Sequence, residues 1–215
     1  KEKIPVTGNS RFGCWICTMV KEDKSLKTFI DRGEEWLIPL RDYRNWMLEM
    51  RTTPGAREYK RRNGAVYRKP DGSLGEGPFT METRQEFLRR LLQLEVDTGL
   101  SLITIEELKQ IDIMWDNEGD LTRRKLVEIY REVTGKTLPW DTYKTPVFPD
   151  DVIEEIRALC EENKVEFEMI AKLIVAIESN KNYTKSSMVT KAFDRIVNQG
   201  WLHFESIEKG LQNEN

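Results

Sequence analysis

Cys14 and Cys17 stand three residues apart, directly behind the run Gly8-Asn9-Ser10-Arg11-Phe12-Gly13. At that spacing one tight turn can aim two thiolates at a single metal ion or iron–sulfur cluster. A structural zinc takes four protein ligands. The remaining thiol, Cys160, and the single histidine, His203, are both distant in sequence, so a Cys3His zinc site stays open without a spacing to support it. An iron–sulfur cluster would be short of ligands within this chain. A thioredoxin-like redox pair would need a surrounding βαβ unit, and none is predicted. Two packed thiols with no metal are the remaining reading. Arg11, beside two glycines, can offer a guanidinium and open backbone N–H groups to an anion, or else form a surface salt bridge. Trp15 lies between the cysteines and could screen a cluster from water, which is one determinant of cluster potential.

A second group could do different chemistry. Arg57, Lys60, Arg61, Arg62, Arg68 and Lys69 gather around Tyr59 and Tyr67, opposed only by Glu58. Charge meets phosphate and rings stack on bases, so this mixture suits a nucleic-acid backbone; a solvated basic loop is the alternative. Cys160 shares an apolar helical face with Ile153, Ile156 and Leu159, which predicts a buried, inert thiol. His203, between Leu202 and Phe204, reads as a packed histidine. Trp36, Trp46 and Trp115 fall at helical core spacing.

The elements that must position these residues are mostly helical. The first twenty-one residues read as loop, broken by Pro5, Gly8, Asn9 and Gly13. A helix is predicted from Glu22 to Arg32, stopped at Gly33. A second runs from Glu34 to Arg51 with Trp36, Leu37, Leu40, Tyr43, Trp46 and Met47 in one stripe, and Pro39 kinks it or marks its true start. Residues 52–78 carry Pro54-Gly55, the basic group and the turn Pro70-Asp71-Gly72, and predict one short β-hairpin. Helices then follow from Thr80 to Gly99, from the capping box of Thr104 and Glu107 through Trp115, and from Leu121 to Val133 before Gly135. Residues 137–149 predict an ordered linker. Helices from Asp150 through Cys160, Phe167 to Ile177 and Met188 to Val197 complete the chain, ahead of a short aromatic piece at Trp201 to Phe204. The division is therefore 1–21, 22–136, the linker, and 150–215.

With 215 residues, 39% hydrophobic and 33% charged, the chain is long and apolar enough for a real core. A formal net charge of -3 supplies no global field toward nucleic acid, so any such contact must be local. No apolar run approaches a membrane span and no signal peptide is visible. Three cysteines, two of them in C-x-x-C, argue against a secreted disulfide framework and suit a reducing cytoplasm. The chain opens on Lys1, which reads as the back part of a longer protein.

Gly8-Asn9-Ser10-Arg11-Phe12-Gly13-Cys14-Trp15-Ile16-Cys17-Thr18, followed by Glu34-Glu35-Trp36-Leu37, resembles the DNA phosphorothioation sulfurtransferase (DndC) family. Lys60-Arg61-Arg62-Asn63-Gly64 and Gly77-Pro78-Phe79-Thr80-Met81-Glu82-Thr83-Arg84 resemble the same family in the same order. The likeness covers about residues 4 to 135. It implies kinship with phosphoadenosine phosphosulfate reductases and an upstream α/β domain of the ATP-pyrophosphatase type, of which residues 1–21 would be the trailing cysteine loop. It also implies an iron–sulfur cluster of the 4Fe-4S kind, with Cys14 and Cys17 as ligands and Arg11, with Ser10 beside it, near the cluster or the nucleotide phosphates. ATP and Mg would bind in the upstream domain. A cysteine desulfurase and other phosphorothioation subunits would be the partners, and DNA the substrate. Adenylylation would turn a non-bridging phosphate oxygen into a leaving group for a sulfur nucleophile. The family's Ser-Gly-Gly-x-Asp-Ser loop is not in this sequence, so the chain alone is expected to be inactive. Thr7 stands where a further cysteine is expected, which places the remaining ligands upstream or replaces them.

The expected function is thus a part of a bacterial, cytoplasmic DNA-modifying sulfurtransferase linked to restriction and modification. No residue of this chain is assigned a catalytic role. Two alternatives from other classes are a non-catalytic helical module that docks proteins and a small zinc-stabilised DNA-binding domain. Chelators would unfold the latter and leave the former unaffected.

Overall fold

A computed structural model describes residues 15–59, 61, 67–180 and 189–198. Asp23 opens the first helix, α1 (Lys24–Asp31), by accepting the Leu26 N–H at 3.0 Å. Glu35–Leu37 form one 3-10 turn, and α2 (Ile38–Met50) begins immediately after it. Pro39 lies in the first turn of α2, where a missing N–H costs no hydrogen bond; it marks the helix start rather than a kink. Trp36 consequently falls outside the apolar stripe. It is 56% exposed, with its indole N–H on Glu34, which corrects its assignment to the core.

The expected hairpin does not form a sheet among the described residues. Two isolated antiparallel bridges stand in its place, Arg57 with Phe79 and Arg68 with Leu74. The Pro70-Asp71-Gly72 turn is closed by Gly72 N–H on Lys69 O at 2.9 Å and by Asp71, whose carboxylate accepts from the Ser73 N–H and hydroxyl. Gly75 and Gly77 then follow, with no side chain to pack across a ladder. The outer arm closes separately, by Glu58 N–H on Pro78 O at 2.8 Å and Thr80 N–H on Ala56 O at 3.1 Å.

Thr80 caps α3 (Met81–Thr98), and Gly99 ends it in the left-handed region at φ 71°. Thr104 and Glu107 form the predicted reciprocal capping box of α4 (Ile105–Asn117). The next helix starts later than the apolar pattern suggests. The Asp120 carboxylate accepts N–H bonds from Thr122, Arg123 and Lys125, which holds residues 120–124 as a turn and delays α5 to Lys125–Thr134. α6 (Asp150–Glu162) and α7 (Phe167–Asn180) follow a connector holding one 3-10 turn, Asp141–Tyr143, and residues 189–198 are helical.

Three cores result. Leu88, Leu92, Leu108, Trp115, Leu126, Val127 and Ile129 join α3, α4 and α5, and fully buried Leu92 alone contributes about 2 kcal/mol by transfer from water. Leu40 and Tyr43 of α2 pack on Leu94 of α3, with Trp15 and Ile16 laid against them. Leu121, Ile153, Ala171 and Val175 join the α4–α5 turn to α6 and α7. Gly119, at φ 110°, permits that approach, since an added Cβ would meet the Ala171 Cβ at 3.1 Å. The connector packs against two of these cores, Leu138 and Trp140 in the first and Val147 and Phe148 in the third. Among the described residues no helix is long and apolar enough to cross a membrane.

Candidate functional site at the cysteine loop

Cys17 is a free, half-buried thiol on the segment that leads into α1. This segment has no regular structure to satisfy its backbone, and α2 does so with two arginines. Arg44 is fully buried. Its Nε donates to Cys17 O at 3.1 Å, its Nη1 to Lys21 O at 3.0 Å and to Asn45 Oδ1 at 2.9 Å, and its Nη2 to Val20 O. Two turns further on, at the C-cap of α2, Arg51 donates to Thr18 O. The carbonyls of Cys17, Thr18, Val20 and Lys21 are thereby all turned onto one helix. A sequence reading misses this anchor because a charged residue is assumed to face water. The available signal is position: Arg44 sits four residues after Leu40, on the buried side of α2.

Trp15 extends the anchor into a chain of rings. It lies 5.9 Å from Tyr43, which lies 5.8 Å from Trp46; Trp46 meets Phe87 edge-on at 5.3 Å, and Phe87 meets Phe79 at 4.8 Å. Arg90 caps Trp46 at 3.9 Å. Tyr43 donates its hydroxyl to Phe87 O at 2.9 Å, and burial raises its pKa well above the ordinary tyrosine value, against a small opposing effect of Arg90. Trp15 therefore packs into the body as well as lying beside Cys17.

The ring chain ends at the basic segment, where the predicted residues separate into two kinds. Arg57 is spent on the fold: it covers Phe79 at 5.2 Å, donates to Gly77 O at 2.7 Å and pairs with Glu76 at 3.3 Å. Lys69 faces the same Glu76 at 4.0 Å. Arg61 and Arg68 point elsewhere. Arg61 stacks over the exposed Tyr67 at 4.8 Å, and Arg68 donates to Gly72 O at 3.0 Å. Ser10, Arg11, Cys14, Lys60, Arg62, His203 and the Trp201–Phe204 piece lie outside the described residues.

A buried charged group at the connector had no clear sequence signature. Lys144 reaches Asp112 at 2.5 Å and Asp116 at 2.9 Å, and Trp140 donates its indole N–H to Asp112 at 2.7 Å. Burial raises the Asp116 pKa above the ordinary aspartate value, with Lys144 pulling it back.

Among the described residues no three His, Cys, Asp or Glu side chains come together as a metal site. Cys160 is buried on α6, as expected, although Leu159 beside it is 52% exposed and leaves the predicted apolar face. Of the two described thiols, Cys17 is the half-buried one, on a segment whose backbone is held by α2. Compared with protein-family models, curated proteins and solved structures, the chain matches none.

Proposed function

We propose that this chain is part of a DNA-modifying sulfurtransferase, one that activates a backbone phosphate with ATP and incorporates sulfur. In this reading Cys14 and Cys17 are cluster ligands, the basic segment contacts DNA, and the helical body carries partner subunits. The observation that carries the reading is the anchored cysteine loop. A buried arginine and a second arginine hold the backbone at Cys17 and just after it, which supports its reading as a fixed ligand. The resemblance of residues 8–18, 60–64 and 77–84 to the phosphorothioation family supplies the substrate class.

Cys14 and Cys17 would hold an iron–sulfur cluster together with ligands from outside the described residues; the cluster would supply sulfur-handling or electron-transfer chemistry. Arg11 and Ser10 would face the nucleotide or backbone phosphate, while ATP and Mg would be bound by an upstream domain. Arg61 and Arg68, which are not neutralised by Glu76, would bear the DNA contact, and Tyr67 would lend a stacking surface. Cys17→Ser in the intact protein, produced with its partner subunits, is the test. Sulfur in nuclease digests of the DNA should vanish while the protein stays folded. Undiminished phosphorothioate would refute the assignment.

A further inference from the structure

Resting on the reading of the basic segment as a DNA contact, we infer that Gly75 is a positioning residue for Arg61. It acts through the ring of Tyr67, and the stack so formed takes a backbone phosphate of DNA rather than a base. Tyr67 and Gly75 face each other across the turn, with the Gly75 N–H on Tyr67 O at 2.5 Å and the Arg68–Leu74 bridge next to them. Gly75 is buried, although Tyr67 opposite it is 46% exposed. Its φ lies outside the left-handed region, so backbone strain does not call for glycine here. Contact does. A Cβ at residue 75 would sit 2.5 Å from Tyr67 Cδ1 and 2.9 Å from Tyr67 O, closer than such atoms pack. The ring therefore lies in the space that a side chain would fill.

Arg61 stands over the same ring, its guanidinium carbon 4.8 Å from the centroid. Its neighbours in the segment are drawn to the fold: Arg57 donates to Gly77 O, Arg68 to Gly72 O, and Lys69 faces Glu76 at 4.0 Å. Arg61 is exposed, and among the described residues no carbonyl or carboxylate takes its N–H groups. Stacking uses the face of a guanidinium and leaves its planar fork of donors at the edge, the geometry that a phosphate accepts. Holding the fork on a ring also removes part of the ordering cost that a free arginine meets on binding. The ring surface that Tyr67 lends is thereby taken up by Arg61, so a base gains no platform from that face. Contact through a phosphate alone positions the protein on DNA and carries no base sequence.

A double-mutant cycle on the full chain tests this, with a labelled DNA duplex as the probe and its Kd at low salt as the readout. Gly75 and Tyr67 belong to none of the three cores, so their variants keep the fold. Gly75→Ala and Tyr67→Leu should each weaken binding about three- to fivefold, the range of an exposed cation–π contact. Tyr67→Phe should bind as wild type does. In an Arg61→Ala background Gly75→Ala and Tyr67→Leu should cost nothing further, because both act through Arg61. A ring that stacked on bases, or a glycine needed only for the turn, would keep its effect in that background, and either effect persisting overturns the inference. Proton NMR of the free protein reads the stack without DNA. The Arg61 side-chain resonances, shifted upfield by the Tyr67 ring in wild type, should return toward unstacked positions in Gly75→Ala and Tyr67→Leu. The same positions in all three proteins overturn the positioning role. A wild type that binds the duplex no better than Arg61→Ala refutes the DNA contact of the proposed function, and the NMR shifts then decide the positioning role by themselves.

Discussion

Lys144 sets its ammonium 2.5 Å from Asp112 Oδ2, the same oxygen that accepts the Trp140 indole N–H at 2.7 Å. One buried carboxylate on α4 thus holds two points of the connector, and Asp116 takes the other side of Lys144 at 2.9 Å. Removing the lysine leaves two acids without their cation. Lys144→Met should destabilise the protein by about 3–5 kcal/mol, the cost typical of breaking a buried pair. Asp112→Asn in the same chain should recover part of that loss. Urea midpoints of the single and double variants check this, and a Lys144→Met midpoint equal to wild type would remove the pair from any stabilising role.

The capping box of α4 makes a pH prediction with a definite sign. Glu107 accepts from the Thr104 N–H at 2.8 Å and from its hydroxyl, and these bonds hold its pKa below the ordinary 4.5. A depressed folded-state pKa means stability that is fully present above the unfolded value and is lost as pH falls through the folded one. The stability difference between wild type and Glu107→Gln should therefore be constant at neutral pH and shrink as the pH drops below 4.5. Thermal melts across that window read it directly. A difference that grows on acidification would reverse the sign and refute the assignment.

Asp116 should act in the opposite direction. Its folded-state pKa is raised, first by burial, so its ionised form costs stability, and that cost appears as pH rises through its unfolded and then its folded value. Asp116→Asn should flatten this fall in stability above the ordinary aspartate range of 3.8. An unchanged pH profile between the variant and wild type would show that Lys144 fully offsets the burial.

The basic segment yields a prediction that separates neighbouring arginines. Arg61 stacks on exposed Tyr67, whereas Arg57 is bound to Gly77 O and Glu76. Arg61→Glu should weaken DNA binding and reduce the slope of log affinity against log salt by about one. Arg57→Glu should instead disturb the segment, visible as a lower melting temperature without DNA. Fluorescence anisotropy over a range of salt measures the first effect. An Arg61→Glu slope equal to wild type would take the DNA contact away from this segment.

Helices were legible in the sequence wherever punctuation was local. Gly99, Gly135 and the Thr104–Glu107 pair sit at their predicted ends because each acts through its own backbone neighbours. The start of α5 was not legible, since it depends on Asp120 capturing N–H groups that an apolar pattern assigns to a helix. Trp36 was misplaced for a related reason: the 3-10 turn before Pro39 rotates it off the stripe. The spacing of Cys17 and the clustering of the basic residues could be read from residue types alone. Their surroundings could not. Nothing local to Arg44 reveals that its partners lie 23 to 27 residues earlier, nor that Glu76 neutralises Arg57.

The most direct test is the content of iron, zinc and acid-labile sulfide in the intact protein purified without oxygen, for wild type, Cys17→Ser and Cys160→Ser. Iron with matching sulfide is expected in wild type and Cys160→Ser, and its loss in Cys17→Ser. Zinc without sulfide, or iron that survives Cys17→Ser, would contradict it.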